Sequence, residues 1–141
     1  MNKNKLYGAI LGDLCGQPME LYKYDGEITI HNTVSTFTDD TVMTLATAWA
    51  IMNKTTYEYA YKYFGKMYTD EKNGLGYGSN FKLWIDKPFG ELNDSFGNGN
   101  LMRISPIFYA FNDIDEVRMN VGASCFNSHA HVDSFKTCMS L

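Results

Sequence analysis

Phe37-Thr38-Asp39-Asp40-Thr41, leading into Val42-Met43-Thr44-Leu45-Ala46-Thr47-Ala48-Trp49-Ala50-Ile51-Met52, decides how this chain folds. Val42, Leu45, Ala46 and Trp49 recur at i, i+3, i+4 and i+7, the stripe of an amphipathic helix over residues 39–52. Thr38 stands where an N-cap hydroxyl accepts from an orphan first-turn amide. Asp39 and Asp40 then fall in the first turn, where the helix dipole favours negative charge. One reading of these residues is a well-capped helix start, since acidic first turns are common. The other is a hard-cation site. Mg²⁺, Mn²⁺ or Ca²⁺ takes oxygen ligands, and two carboxylates beside a Thr hydroxyl at a rigid helix end supply them close together.

The 141 residues around this stretch predict one domain, long enough to bury a core without disulfide or metal staples. Net charge is −4 and no basic block occurs, so a nucleic-acid backbone is not an expected partner. A negatively charged small molecule remains possible where a cation or helix N-terminus bridges to it. Aromatic residues reach 15%, which points to packed helices first and a stacking surface second. The odd count of 3 Cys (Cys15, Cys125, Cys138) and their wide spacing predict no disulfide framework. Met1-Asn2-Lys3-Asn4-Lys5 is basic, but Asp13 interrupts the apolar run behind it, which fits neither a signal peptide nor a membrane span. The expected setting is a reducing cytoplasm, with no membrane partner.

Upstream, Leu6, Ile10 and Leu14 recur at helical spacing, and Gly8, Gly12 and Gly16 line a small-residue face for close packing. Gln17-Pro18-Met19-Glu20 is expected to end that helix, with Glu20 just past it; residues 25–36 read as loop. Downstream, Thr55-Thr56-Tyr57-Glu58 has capping-box form and opens a helix with Tyr57, Ala60, Tyr61 and Phe64 on its core face, ending near Tyr68. Residues 73–78 are turn chemistry, and a short helix around Phe81, Trp84 and Ile85 stops near Pro88. The Gly- and Asn-rich residues 89–100 end in Ser95-Phe96-Gly97-Asn98-Gly99-Asn100, whose amides can face an anion ahead of a helix over 101–111. Pro106 suits that helix only in its first turn. Further helices are expected over 115–125, with Val117, Val121, Ser124 and Cys125 inward, and over 132–141. No run has a convincing strand period, so the expected fold is all-α.

Four separated stretches occur in order: Gly8-Ala9-Ile10-Leu11-Gly12-Asp13-Leu14-Cys15-Gly16 with Glu20, Phe37-Thr38-Asp39-Asp40-Thr41, Gly97-Asn98-Gly99-Asn100-Leu101-Met102-Arg103, and Ser128-His129. Together they resemble the ADP-ribosylglycohydrolase family, relatives of the dinitrogenase-reductase-activating glycohydrolase. Gly76-Tyr77-Gly78, followed by Phe81 and Trp84, looks like a fifth such stretch. The resemblance implies an all-α bundle and hydrolysis of an ADP-ribosyl N- or O-glycosidic linkage with two Mg²⁺ or Mn²⁺ ions. It implies Thr38, Asp39, Asp40 and Glu20 as metal ligands, with Glu20, Asp39 and Asp40 in the catalytic role. It further implies Tyr77, Gly78, Gly97, Asn98, Gly99, Asn100 and His129 as substrate-binding residues, with Ser128 where the family has Thr. The expected partner is ADP-ribose or an ADP-ribosylated protein.

The resemblance covers the family's first half, so residues 1–141 read as a single truncated domain. Family members carry a later D-x-D-T-type segment with the remaining metal ligands, which is absent through Leu141. Exposed apolar helix faces, and self-association or a completing partner chain, are the expected consequences. Two other functions stand beside the hydrolase: a non-catalytic ADP-ribose or nucleotide-binding module, and a half-fold interaction protein docking on another protein. Simpler roles stand beside the site residues too. Arg103 reads as a buried ion pair, with Asp13 as its candidate partner, before a phosphate clamp; Asp13 reads as a helix anchor; His129 reads as a hydrogen-bonded structural residue. Cys125, His129 and His131 form a partial zinc set without an evident fourth ligand.

Overall fold

Helix α2 (Asp39–Asn53) is the axis on which the other helices pack, because it is buried nearly all round: Thr41 to Thr44, Ala46 to Ala48 and Ala50 are all inside. The computed structural model describes residues 6–22, 35–69 and 76–140, without the side chains of residues 20–22. Within them lie α1 (Tyr7–Tyr22), α2, α3 (Tyr57–Met67), α4 (Ser79–Trp84), a 3₁₀ turn at Asn98–Asn100, α5 (Ser105–Ala110), α6 (Ile114–Phe126) and α7 (Val132–Met139). The described residues contain no strand, so the architecture is all-α. None of the described helices is long and apolar enough to cross a membrane.

Local chemistry sets the ends of α2. Thr38 caps the start, accepting from the Asp40 amide at 3.3 Å, and Lys54 closes the other end at φ 51°. The buried face differs from the expected stripe. Met43 and Ala46 are fully buried while Leu45 is 38% exposed, because α2 receives α1, α3 and α5 on different sides rather than one core on one face. Helix α3 presents Tyr57, Ala60, Tyr61 and Phe64 inward as its spacing predicts. The capping box is not formed. Thr56, one residue later than expected, caps α3 by accepting from the Tyr59 amide. Glu58 is drawn away by the Gly90 amide, the Asn127 side chain and the buried Lys62 ammonium.

Two further boundaries move. Helix α1 continues through Pro18 to Tyr22, so Glu20 lies within it. Proline removes one rung of the ladder, which a helix with neighbouring rungs intact survives. Helix α5 starts only at Ser105, with Pro106 in its first turn where the missing N–H is harmless. Residues 101–103 form a turn instead, held to α2 by Thr44 Oγ1 donating to the Met102 carbonyl at 3.2 Å. The loop expected over 25–36 lies outside the described residues up to residue 34, as do residues 73–75 of the expected turn.

Val42, Met43, Tyr61, Trp84, Ile107, Val121, Cys125 and Cys138 meet in one contiguous apolar cluster. Polar groups at this cluster are paired at two places: Thr47 Oγ1 with Tyr61 Oη at 2.9 Å, and Trp84 Nε1 donating to the Glu91 carbonyl at 2.8 Å. Helix α1 is less covered: among its described side chains Gln17 and Pro18 are buried, as is Leu6 just before it. No described atom lies within contact of a methyl group added at Gly8, Gly12 or Gly16, so these glycines face an open groove rather than the packed helix expected of them. Large apolar side chains stand exposed on other faces as well, among them Met52, Leu83, Phe96, Met119 and Phe126.

Candidate functional site

Asp13 builds the site although it is not part of its chemistry. Reaching from α1 across more than twenty residues, its carboxylate accepts from the Thr38 amide at 2.8 Å and the Thr38 hydroxyl at 2.7 Å. It also accepts from the Thr41 amide at 3.2 Å and the Thr41 hydroxyl at 2.6 Å. A charged acceptor that takes donors from both sides of Asp39 and Asp40 fixes the backbone between them. The helix-anchoring role is therefore the observed one. The ion pair with Arg103 does not form.

From this anchored turn the two carboxylates serve different cavities, as consecutive helix residues must, about 100° apart. Asp40 faces the groove of about 270 Å³ beside Gly8, Gly12, Gly16 and Asp13. Asp39 lines a second cavity of about 240 Å³ with Tyr77, Gly78, Gly97, Asn98, Gly99 and His129. Met102 borders both. Gly76, at φ +79°, closes on Asp39 so tightly that a Cβ there would strike Asp39 Oδ1. Glycine is thus required at residue 76 for both conformation and space. The Gly97–Asn100 segment turns into its 3₁₀ turn with first-turn amides that lack intra-turn acceptors.

Behind the second cavity runs a buried polar chain. Arg103 is fully buried over the Tyr61 ring, 3.9 Å from its centroid. Its Nη2 donates to the Ser124 carbonyl at 3.0 Å and to Ser128 Oγ. Arg103 takes one lone pair of Ser128 Oγ, and this hydroxyl shares a hydrogen bond of 3.1 Å with His129 Nδ1. The other ring nitrogen, Nε2, faces Gly99, where an added Cβ would lie at 3.1 Å. Burial first, and the Arg103 charge second, lower the His129 pKa from 6.5 to about 3. His129 is thus a neutral imidazole at the cavity wall.

The depressed pKa fixes a pH dependence. Between pH 6.5 and about 3 the unfolded chain binds a proton at His129 that the folded chain refuses. Its contribution is complete above pH 6.5 and is lost on acidification through that window, on the order of 1 kcal/mol per pH unit. Urea unfolding of His129→Gln is expected to show a correspondingly shallower loss of stability between pH 6.5 and pH 4 than the parent chain. Identical slopes would contradict the assignment.

Two buried polar atoms on residues that line the second cavity have no hydrogen-bond partner among the described residues: Tyr77 Oη and Arg103 Nε. Tyr77 is 6% exposed. Burial, followed by the negative charge of Asp39, pushes its phenol above the ordinary range, so it too is neutral.

The donor chemistry at the helix start suits a hard cation, but the described set is partial. The single Thr38 hydroxyl proton has two acceptors, Asp13 at 2.7 Å and Asp40 Oδ2 at 3.3 Å, and the shorter contact claims it. Thr38 and Asp40 are the neighbouring oxygen donors that would face such a cation. Among the described residues no three His, Cys, Asp or Glu side chains converge to hold a metal. The zinc set is likewise not assembled. Cys125 faces Cys138, and His131 caps α7 by accepting from the Asp133 amide at 3.3 Å.

The structure thus gathers Asp39, Tyr77, Gly78, Gly97, Asn98, Gly99 and His129 at one cavity, while Asp40, in contact with Thr38, faces the neighbouring groove. It puts Asn100 elsewhere: 1% exposed, with its side-chain amide donating to the Ser134 carbonyl of α7 at 2.9 Å. The Glu20 side chain lies outside the described residues. Sequence reading missed Asn93, which ties its loop to the Ser128–His129 segment through the Ser128 carbonyl and the Ala130 amide. Only its place in a polar Asn-rich stretch hinted at such a role.

A search of curated proteins and a search of solved structures each returned no match. The family model described as ADP-ribosylglycohydrolase matches residues 3–141. Its span takes in the anchored Asp39–Asp40 turn, the 3₁₀ turn and the Ser128–His129 pair: the chain belongs to the ADP-ribosylglycohydrolase family.

Proposed function

We propose that the chain hydrolyses an ADP-ribosyl linkage, N- or O-glycosidic, on a protein or small molecule, at the cavity beside Asp39, with Mg²⁺ or Mn²⁺ as cofactor. Family membership supports the reaction class. The observation that carries the placement is the meeting of the Asp39 carboxylate, Tyr77, His129 and the glycines 78, 97 and 99 at one cavity. At about 240 Å³ the cavity suits a ribose with its phosphate, the rest of the dinucleotide lying outward.

In this reading the neutral Tyr77 and His129 Nε2–H donate to ribose or phosphate oxygens, and the amides of Asn98 and Gly99 receive phosphate beside Gly97, whose own amide donates to Ser95 Oγ. Asp39 offsets the positive charge that develops on the ribose in an oxocarbenium-like transition state. Glu20 serves as general base toward the attacking water. Thr38, Asp39, Asp40 and Glu20 would hold the cation, which when bound lowers the pKa of a water and neutralises substrate charge. The test is release of ADP-ribose from arginine- and serine-linked substrates with Mg²⁺ or Mn²⁺, against a chelator control and Asp39→Ala/Asp40→Ala. Metal-dependent release, at least 100-fold lower in the double variant, is expected. A second reading, a binding module without turnover, is favoured by the partial donor set among the described residues. Metal-dependent ADP-ribose binding with no release would select it.

A further inference from the structure

Cys125 of α6 and Cys138 of α7 take no part in the cavity beside Asp39, yet they are the most closely opposed reactive groups described. Both are buried, at 0% and 1% exposure, with their sulfurs 2.7 Å apart. A disulfide bond is ~2.05 Å long, so closing the gap needs an approach of about 0.7 Å. We propose that Cys125 and Cys138 are a redox modification site, oxidised by a small peroxide to an intrachain disulfide that fastens α7 to α6.

Three observations support it besides the distance. The pair is charged as a reactive thiol must be. The Cys138 thiol donates to Cys125, and this, reinforced by the Arg103 charge and the Ser124 hydroxyl, lowers the Cys125 pKa to about 7 against the opposing effect of burial. A path exists for a small oxidant: a cavity of about 130 Å³ beside Phe108, Val117 and Arg118 reaches Cys138. The third cysteine, Cys15, lies on α1 and pairs with neither.

The chemistry balances with peroxide as the oxidant. The pair holds one thiolate and one thiol that share a proton across the contact. With the proton on Cys138, the Cys125 thiolate attacks a peroxide oxygen, the O–O bond breaks, and hydroxide leaves Cys125 sulfenic acid. The Cys138 sulfur then attacks Cys125, the S–O bond breaks, and the departing oxygen takes the Cys138 proton to leave as water. The sulfurs give up two electrons, and the peroxide becomes one water and one hydroxide.

The consequence reaches the cavity by two routes. The loop between α6 and α7 carries Ser128 and His129. Helix α7 holds the 3₁₀ segment through Ser134, whose hydroxyl donates to the Gly97 carbonyl at 3.2 Å and whose carbonyl accepts from Asn100. Oxidation therefore stiffens the wall that bears His129 and Gly99.

The test is hydrogen peroxide treatment of the folded full chain, a quench, thiol counting in denaturant and peptide mapping. The 3 thiols are expected to fall to one, with a Cys125–Cys138 cross-link that dithiothreitol reverses. Cys15→Ser should form the same cross-link, and the oxidised chain should melt about 5 °C or more higher. Retention of all thiols, or cross-linking only through Cys15 between chains, would overturn the proposal. Cys125→Ser and Cys138→Ser should lose the cross-link. If either fails to fold, mapping of the parent chain and of Cys15→Ser still decides. The readout needs no ADP-ribosylated substrate, so it stands or falls apart from the proposed activity.

Discussion

Arg103→Ala is expected to cost about 3–5 kcal/mol of folding stability, enough to leave a marginal domain largely unfolded. The guanidinium is fully buried over Tyr61, and its removal leaves a cavity there. The Ser124 carbonyl and Ser128 hydroxyl lose their donor in the same change. Among the described residues no carboxylate neutralises Arg103, so its stabilisation comes from these acceptors and the ring face. Lysine lacks the planar fork that serves both at once, so Arg103→Lys should recover less than half of the loss. Arg103→Met restores volume without donors and separates the two contributions. It should also raise the His129 pKa, because the arginine charge is one of the causes that depress it. Urea unfolding and a histidine NMR titration check both statements. A loss under 1 kcal/mol for Arg103→Ala would show that the buried chain does not organise the fold.

Asp13→Ala should cost about 2–4 kcal/mol. Four donors from Thr38 and Thr41 lose one shared acceptor, and water at this half-buried position replaces only part of it. Asp13→Asn keeps the shape but turns an NH₂ group toward donors, so it should lose nearly as much. The local consequence is larger than the global one, since Asp39 and Asp40 lose the frame that separates them. Hydrogen exchange at the start of α2 is expected to accelerate well before global unfolding. Asp86→Ala, which breaks only an exposed pair with Lys66, serves as the control and should stay within about 0.5 kcal/mol. Equal effects at Asp13 and Asp86 would contradict the anchoring role.

These two residues mark what the sequence could and could not disclose. Signals confined to a few neighbouring residues were readable. Thr38 as a cap, the inward face of α3 and the Val117, Val121, Ser124 and Cys125 face of α6 each follow from a few neighbouring residues, whereas Pro106 falls in a first turn only because α5 starts at Ser105 and not at residue 101. Asp13 could be suspected as an anchor from its place in a small-residue helix, but its partners lie on a different helix start. Arg103 was assigned the wrong partner for a related reason: a charge predicts a counter-charge, whereas the fold supplies a carbonyl, a hydroxyl and a ring. Glu58 had the sequence form of a capping residue and was claimed by Lys62, Gly90 and Asn127. Leu45 shows the limit of periodicity, because a helix packed on several sides has no single stripe. The candidate site followed the same division. Its glycine and carboxylate segments were legible as motifs, while the Arg103–Ser128–His129 chain and the Asn93 tie were not, since both depend on the meeting of loops distant in sequence.

The most direct test of the cavity as the ADP-ribose site is a calorimetric titration of the parent chain and of Tyr77→Phe with ADP-ribose in the presence of Mn²⁺, alongside urea unfolding of each. Removing a buried hydroxyl that has no partner among the described residues should leave stability unchanged or slightly higher, while ADP-ribose affinity falls about tenfold, or about 1.4 kcal/mol. Undiminished affinity in Tyr77→Phe, or no binding by the parent chain, would contradict the account.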